Sequence, residues 1–497
     1  MLTVSSPAAA AAQRALLLEP GRNCWRIEKA ERAALIVDAK DYYRAAREAM
    51  LAARSQILLI GWDVDTRICL DPDADDGAPG YLGPLVSWLV KHRPELHIYI
   101  LAWNGAAHKF LGRGSTIFRL MGWARHKRIH FKFDAVHPHA ASHHQKIVVV
   151  DDCLGFCGGI DMTGSRWDTR AHRDDDPGRR RPTTGRRYPP WHDSTMAVDG
   201  DAAQALGDLG RLRWRVCTDR NVLPAGKTEE RPWPDCLEPA FRDVDIAIAR
   251  TRGTVADLAE IREIEALFVD MIEAAQSLVY IENQYFASRV VAEAVIRRLG
   301  EDEGPEFVLV APISSQGWLD ESVMGPARAL LLEQVHAADR HGRFRIYTPV
   351  THGGEDIYVH SKVMIVDDRL LRVGSANINN RSMGLDSECD LMLDAMRHPG
   401  RGFEAQIAAM RADLLAEHLD VAPHEVQRVL GETGSLVATV EALRGEGRSL
   451  VPYQADAPGP IAAQVAQSEA LDPESGDQRF EPLAPGKLTG RGGLHRS

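Results

Sequence analysis

Two stretches of this chain, "HHQKIVVVDD" and "VHSKVMIVDD", repeat one pattern of histidine, lysine and aspartate, His144, Lys146, Asp151 and His360, Lys362, Asp367. The differences 360 − 144, 362 − 146 and 367 − 151 all give 216 residues. The same offset carries Gly158-Gly159-Ile160-Asp161 onto Gly374-Ser375-Ala376-Asn377, so the repeat continues into a following strand. Such a chain folds as two copies of one unit. Side chains alternate along a strand, so His360 and Lys362 share a face, and the run Val363–Val366 anchors the strand behind them. Asp151 and Asp367 lie an odd number of residues beyond the lysines and face away. With Gly158, Gly159 and Gly374 they are expected to shape the turn and strand that follow.

The flanks repeat as well. "YYRAAREAMLAARS" leads into "QILLIGW" in the first half, and "IEALFVDMIEAAQS" leads into "LVYIENQYF" in the second. Helices alternating with buried strands predict an α/β fold: two similar sandwich domains with mixed sheets, related by a pseudo-twofold axis and facing each other. The expected boundaries are an N-terminal extension over 1–34, the first unit over 35–235, the second over 236–420, and a helical segment over 421–452. The Pro-, Gly- and Ala-rich tail, 453–497, is expected to be disordered. One insertion, Thr169 to Trp191, is dense in Arg, Asp, Pro and Gly and reads as a solvated loop, or as a rim that meets anionic headgroups.

Two half-sites brought together offer one imidazole to attack an electrophile and a second to protonate the leaving group. Lys146, Lys362, Asn377 and Ser375 would hold the negative charge of a phosphodiester as it becomes pentacoordinate. Two ammonium groups can do the work of a metal, so neither metal nor cofactor is expected. Each imidazole needs an orienting partner. Asp193 and Glu388 open the alternating strands "HDSTMAVDG" and "SECDLMLDA", where an unpaired acid would be costly. They stand at equivalent places once the insertion is removed, since 193 − 144 is 49 and 388 − 360 is 28. Asp161 occupies the place of Asn377, where a carboxylate beside a phosphate is repulsive, and is left out of the binding set. Glu282, Asn283 and Gln284, with Trp62 and Asp63 in the first half, either close the sheet or line the pocket. His143 alternates to the other face, and Arg381 and Ser382 buttress the site.

These motifs resemble those of the phospholipase D superfamily, whose hallmark is a duplicated H-x-K-x4-D followed by a Gly-Gly or Gly-Ser strand. The finer stretches "GGID", "RWD", "PWHD", "YIENQYF" and "VGSANINNRSM" are most similar to the eukaryotic-type phospholipases D. The resemblance implies hydrolysis of a glycerophospholipid, of the phosphatidylcholine or phosphatidylethanolamine class, to phosphatidic acid and a free headgroup. It implies a covalent phosphohistidine, transfer to primary alcohols as a side reaction, His144 as nucleophile and His360 as general acid. The alternatives are phosphatidyl transfer of the cardiolipin synthase type and a phosphodiesterase acting on nucleic acid. A formal net charge of −11 weighs against a chain that grips nucleic acid.

No uninterrupted apolar stretch of about 18 residues occurs, and "PAAAAAQRALLLEPG" lacks the basic leader of a signal peptide. The seven cysteines are odd in number and scattered, as expected of reduced thiols. The expected setting is therefore the cytoplasm or a membrane surface reached peripherally, with export by a leaderless route left open. Since one chain supplies both half-sites, a monomer with an internal pseudo-dimer suffices.

Overall fold

The apolar runs Ile147–Val150 and Val363–Val366 form strands buried on both faces, as their lack of alternation requires. They belong to a computed structural model of the chain that describes residues 17–107, 113–138, 140–226, 232–255, 257–313, 318–454 and 472. The first half contributes β1 (Arg26–Val37), β2 (Gln56–Gly61), β3 (His97–Trp103), β4 (Ile129–Asp134), β5 (Ile147–Val150), β6 (Leu154–Gly158), β7 (Trp191–His192) and β8 (Ser194–Asp199). The second contributes β9 (Phe241–Arg252), β10 (Ile261–Arg262), β11 (Leu278–Glu282), β12 (Phe286–Ala287), β13 (Glu306–Val310) and β14 (Phe344–Val350). It continues with β15 (Tyr358–Val359), β16 (Val363–Val366), β17 (Leu370–Gly374), β18 (Ile378–Asn379) and β19 (Glu388–Asp394), and β20 (Ser449–Pro452) closes the series.

Among the described residues sixteen of these strands form one mixed sheet. From its centre the order runs β1-β8-β6-β5-β2-β3-β4 in one direction and β9-β19-β17-β16-β11-β13-β14 in the other. Counted outward from the centre, each strand of one half thus occupies the same place as its sequence equivalent in the other. The two halves do not carry separate facing sheets. They fuse edge to edge through the antiparallel pair β1 and β9, in register from Ala33 opposite Phe241 to Arg26 opposite Ile248. A continuous apolar core follows that seam, with Ala33, Met196 and Val198 against Phe241, Ile248 and Leu391.

Two expected boundaries shift. β1 starts at Arg26, inside the stretch expected to be an extension, because its charged first half "RIEKAER" is exposed on one face and conceals the strand. The segment 421–452 holds two helices, Pro423–Thr433 and Leu436–Leu443, but ends in β20, which pairs antiparallel with the edge strand β14. The expectation for the tail falls outside the described residues, apart from 453–454 and Asp472, whose carboxylate accepts from the amides of Asn380 (3.1 Å) and Arg381 (3.0 Å). No helix among the described residues is long and apolar enough to cross a membrane. All seven cysteines are free thiols.

Candidate active site

The backbone brings the two halves together twice, in equivalent ways. β15 pairs in parallel with β7, placing Val359 opposite His192, and the amide of His360 donates to the carbonyl of His192 at 2.8 Å. An isolated bridge places His143 opposite Ser387, and the amide of His144 donates to the carbonyl of Ser387 at 2.9 Å. Each histidine therefore lies on an extended segment just before β5 or β16, rather than on the strand itself, and beside the acid of the other half. The pairing is crossed. His144 Nδ1 lies 3.0 Å from Glu388 Oε1, and His360 Nδ1 lies 2.7 Å from Asp193 Oδ2.

This geometry fixes the reactive edge of each ring. Once the partner acid is ionised, Nδ1 donates to it and the lone pair resides on Nε2; neither Nε2 has a hydrogen-bond partner among the described residues. Burial, reinforced by Lys146 and Lys362, holds His144 well below its ordinary range. Burial, with Lys362 and Arg166, does the same to His360. Both rings are neutral in the empty site. Burial also pushes Asp193 up to about 7 and Glu388 up to about 8.

The lysines turn inward. Lys146 Nζ donates to the carbonyl of His144 at 2.7 Å and lies 3.3 Å from Asp161 Oδ2; Lys362 Nζ donates to the carbonyl of His360. An ammonium has three N–H groups, so each keeps donors for a ligand. Burial lowers Lys362 to about 7, as expected of a cation that lacks a close counter-ion. Asn377 is buried, and its side-chain oxygen has no partner. That oxygen is an acceptor left waiting for a donor, which a ligand hydroxyl or a water could supply.

Ser375 must be reassigned. Its hydroxyl donates to Glu388 Oε2 at 2.5 Å and accepts from the amide of Cys389 at 3.0 Å, so it orients Glu388 and has no capacity left to hold a phosphate. Ser382 Oγ donates to the other oxygen, Oε1, at 2.7 Å. The first half solves the same problem differently. Gly159 stands where Ser375 does, and a Cβ there would lie 2.0 Å from Asp193 Oδ1. A serine fits with the longer glutamate, and only glycine fits with the aspartate.

Asp151 and Asp367 sit away from the reacting groups. Asp151 accepts from the amides of Arg54 (2.7 Å), Ser55 (2.8 Å) and Gln56 (2.6 Å); Asp367 accepts from Gln276 (2.6 Å), Ser277 (2.8 Å) and Leu278 (2.9 Å). Both have φ 50°, the left-handed region. Each ties the turn after its own strand to the start of β2 or β11. Asp151→Ala is expected to cost about 3 kcal/mol of stability by stranding its buried and half-buried donors, read as a fall in the denaturant midpoint. An unchanged midpoint would contradict the role.

Behind the histidines lies a buried polar network that sequence reasoning missed. His192 Nδ1 meets Glu417 Oε1 at 2.9 Å, and its Nε2 meets Glu282 Oε2 at 2.9 Å. His172 Nδ1 meets Asp168 at 3.1 Å, its Nε2 meets Glu417 at 3.0 Å, and Asp38 approaches both rings at 3.5 Å. Glu282 also accepts from Ser361, the residue between His360 and Lys362, which couples the network to the site. Glu282 is thus a buried brace, not a pocket wall. Asn283 Oδ1 accepts from the amide of Ile378 at 3.0 Å and so positions Asn377.

Part of the insertion belongs to this brace, while residues 180–187 are exposed throughout, as a solvated loop is. His172 and Arg179 are fully buried, because Asp168 and backbone carbonyls neutralise Arg179. Arg187 pairs with Glu355 of the second half at 2.8 Å, and Arg170 with Glu417 at 2.5 Å. Arg170 and Arg187 thus clamp the insertion to the second half, and the arginines between 180 and 186 stay exposed.

Asp38, His172, His192 and Glu417 offer ligand atoms close enough together to hold a cation. Burial opposes charge on His172, but Asp38, Asp168 and Glu417 outweigh it and push its pKa up to about 9; Glu282 and Glu417 likewise raise His192. Without a cation these nitrogens are protonated and donate to the surrounding carboxylates, which satisfies the cluster by itself. EDTA is expected to leave the melting temperature and the turnover unchanged, and a fall of several degrees would reveal a bound cation.

The remaining candidates buttress. His143 bridges Ser387 Oγ (2.8 Å) and Asp134 (3.2 Å), Arg381 pairs with Asp386 (2.8 Å), and Asp63 pairs with Arg113 while Trp62 stacks on Trp103. A signal for Glu417 and His418 was available in principle, since two polar residues interrupt the apolar stripe of "ADLLAEHL".

A profile of the family described as phospholipase D matches residues 349–445, the stretch that holds His360, Lys362, Asn377 and Glu388. Phospholipase D1 of Schizosaccharomyces pombe is 27% identical over 374 residues, covering 56% of this chain and 27% of that protein. Phospholipase D A of Dictyostelium discoideum is 25% identical, covering 70% of this chain and 32% of that one. Phospholipase D alpha 4 of Arabidopsis thaliana is 23% identical, covering 77% and 64%. The chain spans about a third or less of the length of the first two relatives. Among solved structures, phosphatidylserine synthase of Haemophilus influenzae Rd KW20 superposes with a TM-score of 0.54 at 13% identity, over 88% of this chain and 99% of that one, a likeness of fold.

Proposed function

We propose that this chain, which belongs to the phospholipase D superfamily, is a phospholipase D that cleaves glycerophospholipids of the phosphatidylcholine and phosphatidylethanolamine class at a membrane surface. The observation that carries the reading is the pair of crossed histidine–acid couples with free Nε2 atoms, set beside Lys146 and Lys362. His144 Nε2 attacks phosphorus and the bond from phosphorus to the headgroup oxygen breaks. His360, protonated once the phosphate anion offsets the nearby lysines, gives its proton to that oxygen. Water then takes the place of the headgroup alcohol, gives a proton back to His360 and bonds through its oxygen to phosphorus as the phosphorus–nitrogen bond breaks, releasing phosphatidic acid and the free His144 ring.

Lys146, Lys362 and Asn377 donate to the phosphoryl oxygens throughout. A covalent phosphatidyl-histidine can be intercepted by any small alcohol that reaches it. Purified protein given phosphatidylcholine vesicles, EDTA and ethanol is expected to form phosphatidic acid and phosphatidylethanol together. Hydrolysis without any phosphatidylethanol would contradict the two-step reaction, and turnover only of nucleic acid would move the substrate to another class.

A further inference from the structure

The two histidine–acid couples look alike, but different residues hold them from behind. Ser361 stands between His360 and Lys362, and Gln145 between His144 and Lys146. Both are buried, and each turns back into the protein to meet one charged residue. Glu282, at the end of β11, accepts through Oε2 from Ser361 Oγ and from His192 Nε2, the latter at 2.9 Å. Arg213, on the helix Gly200–Thr218, donates through Nη1 to Gln145 Oε1 at 2.7 Å and to Ser387 Oγ at 3.3 Å. His192 and Ser387 directly precede Asp193 and Glu388, the acids of the two couples. Each charged atom therefore grips the neighbour of one histidine and the neighbour of that histidine's acid, and the two gripped residues belong to different halves.

These two staples occupy equivalent places without being copies. In the strand register Glu282 lies opposite Val363 and Ile60 opposite Ile147, and 363 − 147 is again 216, so the first half has an isoleucine where the second has the carboxylate. An apolar side chain cannot take a hydrogen bond from behind the His144 segment, and the closing helix supplies Arg213 instead. Both staples are anchored on their far sides: Glu282 accepts from Tyr280 Oη at 2.7 Å and meets His418 Nε2 at 3.2 Å, and Arg213 pairs with Asp134 at 2.6 Å. A group held on several sides fixes the position of what it binds. The imidazole–carboxylate contacts of 2.7 Å for His360 and 3.0 Å for His144 cross between halves, so their length depends on how firmly these segments are held together.

We infer that Glu282 and Arg213 are positioning residues with separate charges: Glu282 holds His360 in place as acid and base, and Arg213 holds His144 in place as nucleophile. The inference rests on the two-step reaction proposed above. It assigns each step its own support, so that damage to one staple falls on one step.

The test compares phosphatidylcholine with phosphatidyl-p-nitrophenol, from which p-nitrophenolate leaves phosphorus without taking a proton. Glu282→Gln and Arg213→Lys are each expected to lower phosphatidylcholine turnover about a hundredfold, the cost of a misplacement of about 1 Å, through kcat with little change in KM. On the activated lipid the two separate. With Glu282→Gln the first equivalent of p-nitrophenolate appears at the parent's rate as the bond from His144 to phosphorus forms. Turnover then stalls, because the second step needs His360 to take a proton from water. With Arg213→Lys the first equivalent is itself slowed about a hundredfold. A loss of folded protein would shrink this burst in either variant without changing its rate. If Glu282→Gln does not fold, Ser361→Ala opens one arm of the same staple and is expected to give the same fast burst and slow turnover. Equal slowing of the burst in both variants would overturn the inference, as would phosphatidylcholine turnover at the parent's rate in either. Proton NMR of the free protein near pH 9, with both acids ionised, reads the same positions without substrate. Glu282→Gln is expected to shift the Nδ1 proton of His360 and leave that of His144, and Arg213→Lys to do the reverse. Those shifts in a protein that releases no p-nitrophenolate would sink the proposed reaction and leave the two positioning residues standing; their absence would overturn the inference.

Discussion

Replacing either His144 or His360 with alanine is expected to lower phosphatidylcholine turnover by on the order of 10⁵-fold, with little change in melting temperature. Groups that act as a unit are lost together. Removing the nucleophile leaves only binding and charge stabilisation, and removing the acid leaves the headgroup to depart as an unprotonated alkoxide. The double variant should therefore be about as slow as either single one, not the product of the two losses. Single-turnover rates for the three variants decide this. Multiplying losses would mean that the two rings work independently and would break the shared-site account.

The second large effect concerns the crossed acids. Asp193→Asn and Glu388→Gln are each expected to reduce turnover by on the order of 10³ to 10⁴, by the same logic as the aspartate of a catalytic triad: the amide no longer stabilises the imidazolium. The pH profile carries the sign. Burial raises Asp193 to about 7 and Glu388 to about 8, so these groups become carboxylates only as pH rises. Lys362, lowered to about 7 in the empty site, loses the charge that holds the phosphate over the same window, so the rate should pass through a narrow maximum within it and fall on either side.

Stability runs the other way. A carboxyl whose folded pKa lies above its unfolded value contributes stability that is fully present at low pH and lost as pH rises through the folded pKa. Glu388→Gln should therefore match the parent's melting temperature near pH 5 and equal or exceed it near pH 8.5. A variant that is less stable at the higher pH would contradict the burial argument.

The duplication was legible because a fixed offset does not depend on how strands pair, and the strands β5 and β16 because a run such as "IVVV" has no exposed face. The acids were legible through the cost of burying them. Their crossing was not, since in a near-symmetric repeat His144 is equally consistent with Asp193 and with Glu388, and only the pairing of β15 with β7 and of His143 with Ser387 decides between them. Ser375 and the insertion failed for a related reason. Residue type shows what a hydroxyl or a guanidinium can bind, but not which partner reaches it first. Glu388 reaches Ser375, and Asp168 reaches Arg179.

The central claim, two displacements through a phosphohistidine, is tested most directly by the configuration at phosphorus. A phosphatidylcholine analogue made chiral at phosphorus by sulfur substitution, converted to the phosphatidyl-alcohol, is predicted to give retention, since two in-line inversions cancel. Inversion would mean direct attack by the alcohol, with His144 as a base at most, and would contradict the account.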